Sequence, residues 1–261
     1  MDKGKKVRRP LMKRKLIFLP LLWALIFMSS GDLQAKKSLK VNIGKGEARI
    51  GYLDGTVRVL PKGMQGWRVL HLQDILRGGD EVAVGSKSRL EMIFPDQSRL
   101  RFADDTRFTI LQAGDESAPD VKVHLAVGRT WANVSKSLGI KRKFEISSDN
   151  AVAGVRGTVY RMNVDQDASA LVRVYDGEIA VSGATKPLEA PKAIGPPTKI
   201  AGPTKIAGPT KVTMEEWTVI IRSRQQITVG PDGTASKPRE FTEQEDRDEW
   251  VDWNKARDAE R

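Results

Sequence analysis

Ser88 to Phe102 reads S-R-L-E-M-I-F-P-D-Q-S-R-L-R-F. Leu90, Met92 and Phe94 alternate with Arg89 and Glu91, so an extended chain puts the apolar side chains on one face. Pro95-Asp96-Gln97 turns the chain. The alternation then resumes, with Leu100 and Phe102 inward and Arg99 and Arg101 outward. The same texture runs outward in both directions. In Ala48 to Leu60, A-R-I-G-Y-L-D-G-T-V-R-V-L, two alternating runs flank Asp54-Gly55, and the pattern predicts a hairpin there. Phe108 and Ile110 continue the period. Val121, Val123, Leu125 and Val127 share a face opposite Lys122 and His124. Val172 and Val174 precede Asp176-Gly177, and Ile179 and Val181 follow it. Residues 40–185 therefore read as a mainly β domain of short strands: a sandwich, a barrel or a solenoid.

Composition bounds the chemistry. The chain has 261 residues, no cysteine and two histidines, His71 and His124. A disulfide framework, a thiol nucleophile, thiolate metal sites and a histidine-rich metal site are excluded. The net charge is +11, but residues 1–35 hold eight of the 44 Lys and Arg and two of the 33 acids. The rest carries +5, which argues no nucleic-acid binding.

The first segment reads as an export signal. A basic run ends at Lys15, and Leu16 to Met28, L-I-F-L-P-L-L-W-A-L-I-F-M, carries no charge. Small residues follow, with Ala35 or Gly31 as the last residue before a cut, and Met12 as an alternative start. The apolar run is shorter than the roughly 20 residues that span a bilayer comfortably. A cleaved signal peptide over 1–35 is expected, and an uncleaved anchor is the alternative; only that alternative brings a membrane contact. Either reading places residues 40 onward in the periplasm or outside the cell.

Residues 186–212 change character. P-T-K-I-A-G occurs from Pro197 and from Pro203, and P-T-K-V from Pro209. A proline every sixth residue fits an extended linker. Residues 213–261 read as a small α+β tail. Thr213 and Glu216 fit a capping box opening a helix through Ile220 and Ile221, and Thr242 and Glu245 fit a second. Gln226 to Val229 reads as a strand and Pro231-Asp232-Gly233 as a turn. The last segment, D-R-D-E-W-V-D-W-N-K-A-R-D, reads as a helix on which Trp250 and Trp253 share a face. The two rings serve either a partner contact or the docking of this helix on its own domain.

Residues 44–183 resemble the FecR domain, the periplasmic module first named from the iron-dicitrate sensor. The strings that carry the resemblance occur in order: Leu76-Arg77-Gly78-Gly79-Asp80-Glu81-Val82, Ser88 to Ser98, Gly128-Arg129-Thr130-Trp131, then Ala151-Val152-Ala153-Gly154-Val155-Arg156-Gly157-Thr158, and Tyr175-Asp176-Gly177-Glu178-Ile179. Gln97 stands where the family has Gly. The resemblance implies a twisted, solenoid-like β fold and protein contact across the periplasm rather than catalysis. Family regulators carry a cytoplasmic helical domain ahead of their membrane helix; here residues 1–15 precede the apolar run, so this chain is not expected to act as such a regulator by itself. Its W-x-x-W-N-x-x-R-D ending looks like that of stand-alone exported FecR-domain proteins.

Other residues offer little chemistry. Arg156, between Gly154 and Gly157, is either a cation held for an anionic partner or a structural fork on backbone carbonyls. Gly79-Asp80 reads as a turn with a side-chain cap. Asp104 and Asp105 would point to opposite faces of a strand and make a poor glycosidase pair. No nucleophile-elbow, phosphate-loop, zinc-protease or EF-hand pattern is present, and no cofactor is expected. Arg89, Arg99, Arg101, Arg107, Lys122 and Lys141-Arg142-Lys143 stand mostly on outward positions and could form a basic face. The expectation is an exported, non-catalytic module that binds another envelope protein, with an anionic envelope glycan as the alternative partner.

Overall fold

The computed structural model describes Met1 and residues 46–114, 120–136, 143–184 and 218–260. The signal segment, the hexapeptide stretch and the Thr213–Glu216 capping box lie outside these residues. From residue 46 onward, the described residues belong to one compact unit.

The alternating sequence becomes strands: β1 (Glu47–Asp54), β2 (Val57–Leu60), β3 (Arg68–Val69), β4 (Ile75–Arg77), β5 (Glu81–Val84), β6 (Arg89–Ile93), β7 (Arg99–Phe102), β8 (Arg107–Ala113), β9 (Val121–Asn133), β10 (Phe144–Ser147), β11 (Ala151–Val155), β12 (Val159–Val164), β13 (Ala170–Asp176), β14 (Glu178–Gly183), β15 (Thr218–Arg222), β16 (Gln225–Val229) and β17 (Arg239–Glu240). They form two sheets that share β9. Sheet A runs β4-β1-β6-β7-β9-β12-β13-β16-β17, using the second half of β9. Sheet B runs β3-β2-β5-β8-β9-β10-β11-β14-β15, using its first half. Among the described residues, the strand pairings are antiparallel except that of β9 with β10. The inward residues of both sheets, among them Leu90, Leu100, Tyr160 and Val172 from A and Val82, Phe108, Val123 and Val181 from B, make one apolar core.

The chain passes between the sheets at corners rather than hairpins. Asp54-Gly55 is one of them. β1 pairs with β4 and β6, whereas β2 pairs with β3 and β5, so the predicted hairpin is instead a corner. An Asp-Gly pair supplies a left-handed residue, and both turn types can use it. Each of the nine crossings among the described residues contains one residue of positive φ: Gly55, Gln73, Gly79, Lys87, Asp105, Gly128, Gly157, Gly177 and Arg224. Hydroxyls tie adjacent corners together. Ser88 Oγ accepts from Thr56 N at 2.8 Å, Thr106 Oγ1 accepts from Arg129 N at 3.1 Å, and Thr158 Oγ1 donates to Glu178 O at 3.1 Å. Asp104 and Asp105 lie in such a corner, not in a strand.

Three turns on sheet A share one device. In Asp96-Gln97-Ser98, Asp167-Ala168-Ser169 and Asp232-Gly233-Thr234, the aspartate Oδ1 accepts from the backbone N–H two residues on, at 2.9 Å each time. The middle residue has positive φ in all three, and Gln97 adopts it without a glycine.

The C-terminal residues differ in part from their reading. Ile220 and Ile221 lie in strand β15, not a helix, because β14 offers an edge that pairs them from Thr218 to Arg222. The second capping box is present: Glu245 N donates to Thr242 Oγ1 and Thr242 N to Glu245 Oε2. It opens a single turn, α1 (Glu243–Asp246), and the chain breaks at Arg247 before α2 (Glu249–Ala259). Asp248 caps α2 by accepting from Val251 N at 2.7 Å. No helix among the described residues is long and apolar enough to cross a membrane.

Candidate functional site

The outer face of sheet A carries one unbroken cross-strand row. The register places Tyr52 opposite Glu91, Glu91 opposite Arg101, Arg101 opposite Trp131, Trp131 opposite Arg161, Arg161 opposite Arg173, Arg173 opposite Gln226 and Gln226 opposite Arg239. Alternation turns these side chains away from the core, where exposed residues are expected. Yet Glu91 and Arg101 are buried, and so are Arg161 and Arg173. Helices α1 and α2 cover them.

The cover is seated by carboxylates. Asp258 takes Arg101 Nη2 at 2.8 Å and the Trp131 indole N–H at 2.9 Å. Asp246 Oδ1 receives Arg161 at 3.0 Å, Arg173 at 2.9 Å and the Tyr175 hydroxyl at 3.0 Å. Burial pushes the Tyr175 hydroxyl well above its usual range, so it stays protonated and donates. Glu91 closes the other end, bound by Arg101 Nε at 2.6 Å and Arg257 at 3.5 Å. Buried charges persist because each meets a partner.

A small second cluster, Ala103, Trp131, Trp250 and Val251, packs beneath α2. Trp250 is 3% exposed. Trp253 stacks on it with ring centroids 5.3 Å apart and meets Tyr52 at 5.4 Å. The guanidinium groups of Arg89, Arg101 and Arg257 lie within 5.9 Å of the Trp253 ring centroid, a cation–π cage that binds the helix to the sheet. The structure thus brings Trp131, Trp250 and Trp253 together and turns both tail rings toward the chain's own sheet.

The other motif residues sit at turns and corners. Gly128 lies where β9 crosses from sheet B to sheet A. Its φ is +108°, and a Cβ there would fall 2.6 Å from Thr106 Cα, so the close approach of two corners requires its absence. Thr158 binds Glu178 O beside Gly157 and Gly177. Asp80 follows Gly79 and caps a turn, accepting from Arg77 N at 2.9 Å and Lys62 N at 3.1 Å. Gly154 is inside β11 and Arg156 is exposed at the following corner. His124 lies 3.4 Å from Asp149, and His71 is exposed 3.9 Å from Asp74. Arg101, expected on an exposed basic face, is fully buried; Arg89 is bound to Glu249 at 2.6 Å. An open cleft lined by three cations, Lys87, Arg89 and Arg129, and four carboxylates, Asp54, Asp104, Asp248 and Glu249, is no basic face; Arg129 bridges Asp104 at 3.3 Å and Asp248 at 3.4 Å.

The sequence reading missed Glu91, Arg161, Arg173, Asp246 and Asp258 as one network. Their signal was faint: charged residues on outward strand positions, and two aspartates in the two short C-terminal helices. Only the register aligns them.

Comparison with known proteins adds the lineage. Two crystal structures of a proposed anti-sigma factor from Parabacteroides distasonis ATCC 8503, at 1.65 and 2.50 Å, are similar over 63% of this chain, with 16% identity and TM-scores of 0.42 and 0.43. The similarity spans 61% of those chains. No curated protein matches the chain. Residues 80–180 match the family described as FecR protein, a span that opens at β5 and ends in β14. Residues 80–180 of this chain are a FecR domain.

Proposed function

We propose that the chain is a non-catalytic interaction module of the bacterial cell envelope that binds another envelope protein in signal relay. The observation that carries the reading is the FecR domain over residues 80–180. The signal-like segment 1–35 supports a periplasmic or secreted location. The order strand, corner, strand, turn, strand, corner, strand occurs in β5–β8 and again in β11–β14, which supports reading the fold as a short solenoid-like array.

The test is crosslinking of the tagged chain in its own cells, identification of captured proteins, and the reciprocal capture starting from each of them. A partner recovered in both directions supports the module. Reciprocal capture of nothing, together with salt-sensitive retention on anionic envelope polymers, overturns it in favour of glycan binding.

A further inference from the structure

Among the described residues, sheet B ends on an open edge. Its terminal strand β3 pairs with β2 alone among the described residues, Val69 opposite Arg58 and Arg68 opposite Val59. Leu70 N donates to Val57 O at 2.8 Å, so the alternation of an antiparallel pair turns the N–H and C=O of Val69 away from β2. Apolar side chains gather at the same place. Seven large hydrophobic residues are exposed among the described residues, and four fall in residues 64–72: Met64 at 65%, Trp67 at 40%, Val69 at 50% and Leu72 at 57%. A patch of this kind at a sheet edge is a contact surface or an aggregation hazard.

The segment is held in place. Asp74 binds Arg68 Nη1 at 2.8 Å and His71 N at 3.0 Å, Asp80 binds Lys62 N at 3.1 Å, and Leu70 is buried. Exposed cations ring it: Arg58, Lys62, Arg68, Arg77 and Arg107, with the Arg107 guanidinium 6.0 Å from the Trp67 ring centroid. The carboxylates that meet three of them, Glu47, Asp74 and Glu81, are partly buried.

We infer that the β3 edge is the docking site for an extended acidic segment of a partner protein, which adds as a strand beside Val69 and lays apolar side chains on Met64, Trp67 and Leu72. This rests on the interaction-module reading and names its surface. Strand addition gives the Val69 N–H and C=O, the latter now met by the Arg68 guanidinium at 3.5 Å, backbone partners, and side-chain contacts supply selectivity. Bilayer hydrocarbon offers those groups no partner, which favours a protein strand over insertion into a membrane.

The test uses the full chain and three probes: a labelled peptide alternating Glu and Val, its counterpart alternating Lys and Val, and vesicles containing phosphatidylglycerol. The Glu peptide should bind saturably and slow hydrogen exchange over residues 67–70. Binding should weaken about tenfold in Trp67→Ala and fall with added salt, while Ile220→Ala on the other edge strand binds as the parent does. Absence of saturable binding, equal binding of the Lys peptide, or protection of 67–70 by vesicles instead of peptide overturns the proposal. A partner captured in cells through another surface also overturns it, yet keeps the module reading.

Discussion

Asp246 of α1 and Arg173 of β13 meet at 2.9 Å in a space closed to solvent. Arg161 shares the same carboxylate oxygen at 3.0 Å. Asp246→Ala therefore removes the carboxylate that two buried guanidinium groups share, leaving Arg161 with Asp248 at 3.6 Å and Arg173 with Gln226 at 2.6 Å. The expected loss is about 3–5 kcal/mol, the range for breaking a buried ion pair by one partner. Urea unfolding followed by tryptophan fluorescence measures it, and Asp246→Asn should cost less because the amide oxygen still accepts.

Trp250 and Trp253 share a helix face but not an environment. Trp250→Ala empties a buried site and should cost about 3–5 kcal/mol. Trp253 is half-buried and held largely by arginines, so Trp253→Ala should cost about 1–2 kcal/mol. Thermal denaturation of both variants checks the order. Weaker partner binding by the double variant would report the seating of α2 as much as any surface.

Two glycines of the family strings should respond oppositely. Gly128→Ala meets Thr106 Cα and a positive φ, and should destabilise by more than about 1 kcal/mol. Truncating the Thr106 side chain leaves that backbone contact in place and should not rescue it. At Gly154 the nearest atom to a new Cβ is Ala180 O at 4.0 Å, so Gly154→Ala should be neutral or slightly stabilising. Chemical denaturation separates the two.

Tyr160 is fully buried, and its hydroxyl has no hydrogen-bond partner among the described residues. Burial pushes that hydroxyl well above its usual range. Tyr160→Phe removes a desolvated polar group while keeping the ring, and should leave stability unchanged or raise it by up to about 1 kcal/mol. Comparison of urea midpoints checks this.

The aspartates of the sheet-A turns set an acid limit. The Thr234 N–H lowers Asp232, and the Ser169 N–H lowers Asp167, each acting first through the backbone hydrogen bond. A carboxylate lowered in the folded state stabilises it above the unfolded value. That contribution disappears as pH falls through the folded value. The stability difference between the parent and Asp232→Ala should thus be present at neutral pH and vanish in acid. A pH series of denaturation midpoints shows this directly.

What the sequence revealed depended on distance along the chain. The strands of residues 48–60, 88–102 and 121–127 were legible because alternation is local, and so was the Thr242–Glu245 capping box. Asp54-Gly55 was misread because a corner and a hairpin can use the same left-handed residue; partner choice, which is non-local, separates them. Arg101 was placed outward correctly, but its burial depends on α2, contributed from the far end of the chain. Ile220 and Ile221 became a strand because β14 needed a neighbour, which overrode the local helix signal. The row from Tyr52 to Arg239 was invisible for the same reason: it exists only in the register of eight strands.

The C-terminal helix is ionically seated on sheet A through Asp258 and Arg101. Hydrogen exchange across α2 in the full chain tests it most directly. The amides of Val251 to Asn254 should exchange far more slowly than those of an isolated helix, and this protection should collapse in Asp246→Ala and in Asp258→Ala. Exchange at the rate of a free helix in the parent, or full protection in both variants, would contradict it.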